Sequence, residues 1–549
     1  MLPRALSTLA LVLLVGCPSP VGDDDTAPGP DDDDATDDDD GTDDDDADDG
    51  WRSVLYPGDW TPADTVDGRF LHDFSYAGYR LGDAPPLNRV VPTLDVRDFG
   101  ADPTGATDAT AEVQSAIDAA TEPCDILLPA GEYRFDRTLR ITTDGVVLRG
   151  EGVGVTSLWF TAVEGMSDRG HVAFAGSVQR GEDHLLAEDG VPRSHDVVVA
   201  TRGDLDVGVE VAVGWTISEA FVEEHGMTGT WEVFNGTWRP FFRRTVVAVE
   251  GDGPFVVTLD VPLRYPALVR DGASLRVESG YLREVGVRDL SISTAATRDE
   301  ALSVDRTHAI RMEGVADAWV SRVDSWESPQ SEDGRHLLSG GIAIVHSKRV
   351  TVADSTMGHA QNRGGGGNGY LFEVSRSSEV LFRDLAGIAG RHNFIQNWDF
   401  GTSGTVWLRT TSREGFAAST DNESLGLVGL SEYHHSLAMA NLVDDSTTDD
   451  GWGAVNRRGW SSGAGHSATQ NVFWNLRGEG IVRSFQYGEG YVIGTAPTLD
   501  VQAEVGGDWD LFGAGDGTSP DDFLEGIGEA ASLRPQSLYE DQRARRVAR

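Results

Sequence analysis

The chain has 549 residues and a formal net charge of −46 at pH 7, from 90 acidic and 44 basic side chains. Residues 23–49 contain 17 aspartates, and removing these 17 charges from −46 leaves −29 on the rest of the chain. So acidic a protein repels phosphate backbones, which excludes nucleic acid as a partner. The two cysteines, Cys17 and Cys124, are too few for a disulfide framework or a thiolate metal site.

The N-terminal stretch "MLPRALSTLALVLLVGC" predicts a signal peptide over residues 1–17. Its apolar run is too short for a permanent membrane span and follows a basic residue, as in secretory signals. The ending Leu-Val-Gly-Cys resembles a bacterial lipobox, which implies lipidation of Cys17. We therefore expect an extracytoplasmic protein, lipid-anchored to a bacterial membrane, at the outer membrane or cell surface. An ordinary secretion signal is the alternative.

Residues 18–50 are predicted to be a disordered, Asp-rich linker. This segment has no large hydrophobic residue after Val21, so it cannot bury apolar surface, and its charges repel one another. Calcium binding by its carboxylates is disfavoured because the glycine-spaced geometry of a calcium loop is missing.

The remaining chain predicts a β-solenoid over residues 94–515, preceded by an N-terminal extension at 51–93. A Gly/Asp/Pro loop at 100–105 leads into helical spacing of apolar residues at Val113, Ala116, Ile117 and Ala120. Short β-rich runs broken by glycine and proline follow. One helix and then many short strands indicate a capped solenoid.

Two segments differ from this pattern. Residues 196–278 alternate apolar and polar side chains around a glycine-containing turn, which predicts a small antiparallel β subdomain inserted in the solenoid. Residues 516–549 are predicted to be a C-terminal tail with a short capping or docking helix.

A spacing of 22 residues recurs in the final third, at Leu408, Leu430, Trp452 and Trp474. We interpret it as one coil of a parallel β-helix, with Trp452 and Trp474 as core residues. The same spacing predicts one stacked column, made of Arg391, Arg413, His435, Arg457 and Glu479. A column so rich in cations would require an anionic partner.

The stretch "DVRDFGADPTGATDATAEVQSAIDAA", with "LLPAGEYRF" and "VVLRGEG" after it, resembles the opening of the pectate-lyase-like superfamily. The resemblance implies an all-β fold, a right-handed parallel β-helix, in a secreted bacterial protein. It does not fix the reaction, because this fold carries lyases, hydrolases, epimerases and adhesins. The Trp-Ile-Asp-His and Arg-x-Pro-x-x-Arg patterns of calcium pectate lyases are missing, as are the polygalacturonase motifs.

A groove on a β-helix lined by this cationic column would suit a polyuronate as the anionic partner. The expected reaction on it is β-elimination. It needs a neutralised carboxylate, a base and an acid. The predicted catalytic residues are His434 or His435 as base, Tyr433 as acid, Arg457 or Arg458 on the carboxylate, and His466. The predicted substrate-binding residues are Arg391, His392, Arg413 and Trp460. Calcium held by carboxylates could assist the arginines.

Alternatives remain open at this stage. "EYHH" could be a solvated turn, and His466 could occupy a coil corner. A glycoside hydrolase would use paired carboxylates, for which the chain offers Asp399, Asp421, Glu423, Glu432, Asp444, Asp445, Asp449 and Asp450. A non-catalytic surface adhesin or glycan-binding protein would show an exposed aromatic face instead.

Overall fold

The computed structural model describes residues 50–121, 123–417, 427–503 and 521–549. Cys17, Asp421 and Glu423 lie outside the described residues, as do the signal peptide and nearly all of the acidic linker. In the part of the chain that is described, no helix is both long and apolar enough to cross a membrane.

Two parallel sheets form the body of the protein. Neighbouring strands of each sheet come from successive coils and pair in parallel, for example Val350 with Val380 and Ile342 with Phe372. This arrangement confirms the predicted parallel β-helix. The larger sheet is formed by the strands Thr93–Asp95, Thr104–Asp108, Cys124–Leu127, Gly131–Phe135, Val146–Arg149, Thr156–Phe160, Leu282–Arg283, Gly286–Ser293, Val315–Ser325, Lys348–Gly358, Ser378–Ile388, Val406–Arg413, Leu442–Asp444, Thr447–Thr448, Val472–Leu476, Tyr491–Thr495 and Phe523–Glu525.

The second parallel sheet has ten strands in the described residues and is called the ten-stranded sheet below. In spatial order these strands are Leu139–Ile141, Gly170–Ala175, His308–Glu313, Gly340–Val345, Tyr370–Ser375, His392–Gln396, Ser431–Tyr433, Gly451–Ala454, Ile481–Ser484 and Asp500–Gln502. Two short pairs complete the coils, Phe416–Ala417 with Leu427–Val428 and Ala438–Met439 with Ala468–Thr469.

The core lies between the two sheets, because successive side chains of a strand point to opposite faces. Val380, Phe382 and Trp407 of the larger sheet point inward and share one apolar cluster with Phe372 and Phe394 of the ten-stranded sheet. Phe382 and Trp407 are stacked rings 4.1 Å apart. Burial of these side chains contributes about 1.5–3 kcal/mol each.

The outer face of the larger sheet is apolar and covered. Leu381, Leu408 and Trp474 alternate with the core residues and pack against the N-terminal segment and the C-terminal helix, through side chains such as Phe74 and Leu538. Trp452 and Trp474 are both buried, as predicted, but in different clusters. Toward the first coils the same face is charged instead, and Asp125 there pairs with Arg89, Arg149 and Arg288.

An antiparallel sheet interrupts the coils. Its seven strands are Gln179–Arg180, His184–Leu185, Asp196–Val199, Glu210–Thr216, Trp238–Glu250, Phe255–Leu259 and Ser274–Ser279. Trp215 and Phe241 stack 3.6 Å apart in its core, which also takes in Phe400 and Leu437 from the coils. The buried pair of Arg264 and Glu379, at 2.8 Å, also joins the two parts.

The described helices are short, and the longest are Thr110–Ala119 near the start of the coils and Leu538–Ala548 at the C-terminus. Ser537 caps the latter by accepting a hydrogen bond from Glu540 N. The other α-helices are Glu219–Glu224, Arg298–Leu302 and Trp460–Gly463, and the 3₁₀ turns are Tyr79–Leu81, Val96–Phe99, Glu232–Phe234, Val269–Asp271 and Ala530–Ser532.

The predicted coil length of 22 residues is wrong. The residues Leu381, Val406, Leu442, Val472 and Tyr491 pair in succession, at spacings of 25, 36, 30 and 19 residues. The connections between strands differ in length, so equal spacing in sequence does not give alignment in space. The predicted column is therefore not a stack, since Arg413 ends a strand of the larger sheet whereas His435 and Arg457 follow strands of the other.

Asp444 lies beneath the C-terminal helix and accepts hydrogen bonds from Ser537 Oγ, Leu538 N and Tyr539 N. Burial raises the pKa of this carboxyl to about 7. Between about pH 4 and 7 the folded chain therefore holds a proton that the unfolded chain has released. The free energy of unfolding should fall as the pH rises through this range, by up to about 1.4 kcal/mol per pH unit from this group.

Asp444→Asn removes this titration. We expect denaturant midpoints at pH 5 and pH 8 to differ less for the variant than for the wild-type chain. An equal difference in both proteins would contradict the assignment to Asp444.

Candidate functional site

The outer face of the ten-stranded sheet carries charged side chains in its central coils. The strand register aligns, in order, Arg311, Ala343, Glu373, Ile395, Glu432, Gly453 and Arg483. Strands in a sheet lie about 4.8 Å apart, so these charges form a row along the axis of the coils. Their neighbours Phe372, Phe394 and Val482 point into the core.

Glu432 is the centre of a buried polar cluster. Its Oε1 contacts His434 Nδ1 and lies 3.3 Å from His392 Nε2, and its Oε2 accepts a hydrogen bond of 2.6 Å from Arg457 Nη1. These four residues are called the Glu432 cluster below. Each is at most 8% exposed. Three coils contribute to it, since His392 begins one strand, His434 follows the next and Arg457 follows the one after.

Electrostatics fix the charges of this cluster. Burial opposes ionisation of Glu432, but Arg457, followed by His392 and His434, outweighs it and holds the pKa of this carboxyl well below its ordinary value. Burial lowers the pKa of His392 to about 3, and burial together with the charge of Arg457 lowers that of His434 to about 4. At neutral pH the cluster therefore combines a carboxylate, a guanidinium and two neutral imidazoles.

A second polar group lies beside the Glu432 cluster on the same face. Glu373 accepts hydrogen bonds from Arg306 Nη2 at 3.2 Å and from Asn397 Nδ2 at 3.0 Å, and His308 Nε2 lies 3.6 Å from it. Between the two groups, the ring of Tyr370 is centred 5.2 Å from that of His392. Glu373 and Glu432 are thus two polar groups on one face, on either side of the strand that carries Ile395.

His435, one of the two predicted bases, is engaged by the protein on both ring nitrogens. Its Nε2 donates to the carbonyl of Ser461 at 2.8 Å, and its Nδ1 is 3.2 Å from Ser436 Oγ. The indole of Trp398 covers the ring, at 4.3 Å between centroids. His435 therefore holds the turn at Ser461 in place, and the geometry favours His434 among the two predicted bases.

Tyr433 cannot serve as the predicted acid. Its strand alternates, so Glu432 points outward and Tyr433 points into the core, where its ring lies 5.6 Å from Trp452 and 6.3 Å from Phe473. Burial raises the pKa of its hydroxyl, which has no hydrogen-bond partner among the described residues.

Of the remaining predicted residues, some lie next to members of the Glu432 cluster and one lies on the larger sheet. Arg391 is partly exposed beside His392, and its charge acts on both imidazoles of the cluster. Arg458 and Trp460 are exposed next to Arg457, Trp460 to 58%. Arg413 is exposed at the end of a strand of the larger sheet, and its carbonyl accepts a hydrogen bond of 2.9 Å from Asn393 Nδ2.

His466 does not join the cluster. Its ring packs 5.2 Å from Tyr487, and its backbone N–H donates to the sulfur of Met227 in the segment that interrupts the coils. Burial, followed by the charge of His225, lowers its pKa to about 4. His466 thus joins the coils to the inserted segment, and its role as a catalytic residue stays a prediction.

Three of the carboxylates considered for hydrolysis have structural roles. Asp444 binds the C-terminal helix, as described above. Asp450 accepts hydrogen bonds from Ser412 Oγ at 2.6 Å and Gly415 N at 3.0 Å, which fixes a loop. Asp445 pairs with Arg477 at 2.6 Å. These carboxylates do not form a convergent catalytic pair.

The sequence interpretation missed Glu373, Arg306 and Tyr370, and treated Glu432 only as a carboxylate of a hydrolase. A signal was present in "YLFEVS", where Glu373 interrupts an apolar strand. A glutamate within a buried strand is costly without a partner, so it predicts a charge from another coil.

The comparison with protein families agrees with this architecture for the N-terminal coils. Residues 93–185 match the family model described as rhamnogalacturonase A/epimerase, pectate lyase-like. That range covers the N-terminal coils and ends before most strands of the ten-stranded sheet. The comparison with curated proteins found no match.

Several solved structures are similar at low sequence identity. The tailspike protein gp49 from Pseudomonas phage LKA1 has a TM-score of 0.40 and 12% identity, over 74% of this chain and 76% of its own. The ORF18 protein of Geobacillus virus E2 has a TM-score of 0.38 and 10% identity over 75% of this chain, which spans 58% of that protein. The A-module of an Azotobacter vinelandii mannuronan C-5 epimerase has a TM-score of 0.31 and 12% identity, over 79% of this chain and 98% of that module.

Tyr433→Phe tests the core position of this residue. Removing a buried hydroxyl without a partner should raise the free energy of unfolding by about 1 kcal/mol. Tyr539→Phe is the matched control, because the Tyr539 hydroxyl donates to the carbonyl of Ala77 at 2.8 Å and its removal should cost about 1 kcal/mol. Denaturant unfolding measures both, and a Tyr433→Phe protein less stable than wild type would contradict this placement.

Proposed function

We propose that this protein binds and cleaves an acidic, uronic-acid-containing polysaccharide, and that cleavage occurs by β-elimination at the Glu432 cluster. The observation that carries the proposal is the convergence of Arg457, two imidazoles and a carboxylate on the outer face of the ten-stranded sheet. The match of residues 93–185 to a pectate lyase-like model supports a pectin-type acidic glycan as the substrate class.

The charges favour an anionic ligand at this place. Glu432 and Arg457 neutralise each other, and Arg391 beside them adds a positive charge that is partly exposed. A protein of net charge −46 otherwise repels anions, so local cations are needed to hold a uronate. The exposed indole of Trp460 adds a surface on which a sugar ring can stack.

In the proposed reaction, a base removes the proton from the carbon that bears the carboxylate of the uronate. The electron pair forms a carbon–carbon double bond, and the glycosidic oxygen on the next carbon leaves and takes a proton from water. Arg391 offsets the negative charge that develops on the carboxylate of the uronate, while Arg457 stays paired with Glu432. Proton removal depends on His434, the imidazole in contact with Glu432.

Hydrolysis by paired carboxylates is less well supported. Glu373 and Glu432 flank one intervening strand, about 10 Å apart by the spacing of a sheet, near the range of inverting hydrolases. Each of the two is ion-paired to an arginine, at 3.2 Å and 2.6 Å. An arginine partner keeps a carboxylate ionised, whereas a hydrolase requires one protonated carboxyl.

The test incubates the full chain with polyuronates and neutral glycans, and records both the ultraviolet absorbance of unsaturated uronides and new reducing ends. We expect both signals from a polyuronate, and a loss of at least about 100-fold in kcat/KM for His434→Ala. Arg391→Gln should raise KM more than it lowers kcat.

His195→Gln is the control, because this histidine lies in the segment of the antiparallel sheet, where its Nδ1 donates to the carbonyl of Leu259. Its activity should equal that of wild type. Reducing ends without absorbance would exclude elimination and indicate hydrolysis. Binding without either signal would indicate a glycan-binding protein.

A further inference from the structure

We propose that His392, Glu432 and His434 form a binding site for a divalent transition-metal ion of the zinc class. One ligand atom from each of these residues lies within 4.8 Å of the other two, and all three side chains are buried. Two imidazole nitrogens and one carboxylate oxygen are the donors of many three-residue metal sites.

The deciding observation concerns the ring of His392. Its Nδ1 contacts the carbonyl oxygen of Leu430, and a carbonyl only accepts, so Nδ1 carries the proton. In a neutral imidazole the other nitrogen, Nε2, then presents a lone pair. Nε2 lies 3.3 Å from Oε1 of Glu432, which is also an acceptor. Within the described residues no donor reaches Nε2, although the side chain is more than nine-tenths buried.

A cation between these atoms resolves the mismatch. Two acceptor atoms so close together are unfavourable, whereas a short separation is normal for two ligands of one metal ion. Glu432 Oε1 also meets His434 Nδ1, so the same oxygen lies between two imidazole nitrogens. The alternative is a His392 protonated on both nitrogens, which would form an ion pair with Glu432 and take up no metal.

The surroundings have the form of a second coordination shell. Metal-binding histidines donate their other ring N–H to a backbone carbonyl or carboxylate, as His392 does to Leu430. Arg457 binds Oε2 of Glu432 at 2.6 Å, which orients the carboxylate and leaves Oε1 toward the imidazoles. Three protein ligands leave at least one coordination position for water or a glycan oxygen.

The donor set also selects the kind of ion. Calcium takes six to eight oxygen ligands, and this cluster offers one carboxylate with two nitrogens. It therefore does not fit calcium, the ion considered from the sequence. Imidazole with carboxylate suits zinc and its first-row neighbours. The inference shares residues with the proposed function but does not require any reaction with a glycan. A His434 that binds the ion carries its proton on the other ring nitrogen, so its role as the base belongs to the metal-free chain.

The test uses the full chain, stripped with a chelator and titrated separately with Zn²⁺, Mn²⁺ and Ca²⁺ by calorimetry, with metal content measured after dialysis. We expect one equivalent of a transition metal and no stoichiometric calcium. His392→Gln and Glu432→Gln should weaken binding at least about 100-fold, since loss of a second-shell partner alone costs 10- to 100-fold. Glu373→Gln is the matched control, a buried carboxylate with an arginine partner in the same sheet, and should bind one equivalent.

A second measurement does not depend on the folding of variants. Co²⁺ added to the stripped wild-type chain should give visible absorption bands of a nitrogen- and oxygen-ligated ion. No uptake of any transition metal, or uptake unchanged in both ligand variants, would overturn the inference. Glycan cleavage without metal uptake would reject the metal site alone, and metal uptake without cleavage would reject the proposed function alone.

Discussion

The stacking of parallel strands is the constraint from which the rest of this structure follows. Each ladder fixes which side chains point inward, and the inward set from both sheets fills one apolar core. The side chains that point outward must then find partners of their own on each sheet. In the later coils of the larger sheet they are apolar, with Leu381, Leu408 and Trp474 beneath the terminal segments. On the ten-stranded sheet they are charged, with Arg311, Glu373 and Glu432, and these side chains surround the candidate site.

A buried carboxylate on that face imposes requirements of its own. Removing a charge from water costs several kcal/mol unless partners compensate, and removing one partner of a buried pair costs about 3–5 kcal/mol. Glu432 meets this cost with Arg457 and two imidazoles drawn from three coils. Its partners come from far apart in sequence, so the cluster exists only when the coils stack in the correct register. The same contacts therefore link the correct stacking of the coils to the formation of the candidate site.

The sequence predicted the fold class because its signals are local. The opening loop, the apolar spacing after it and the short strands predicted a parallel β-helix. Side-chain positions within coils were predicted less well, because the connections vary and the 22-residue spacing joined residues of different sheets, such as Leu408 and Trp452. His392, His434 and Arg457 were found from residue type. Tyr433 was misassigned because the alternation of side chains along a strand was not applied to a strand of three residues. This alternation places Tyr433 and Glu432 on opposite faces of the sheet.

The ion-pair and metal interpretations of the Glu432 cluster differ in how they treat His392. If Arg457 alone compensated Glu432, the second carboxylate oxygen would need a hydrogen-bond donor, and His434 could supply one. His392 would then have no reason to keep an unprotonated nitrogen 3.3 Å from the same oxygen, since its proton is fixed by Leu430. A bound cation explains why both imidazoles converge on one oxygen. It would also add positive charge where Arg391 already favours an anion, so metal and acidic glycan would reinforce each other's binding.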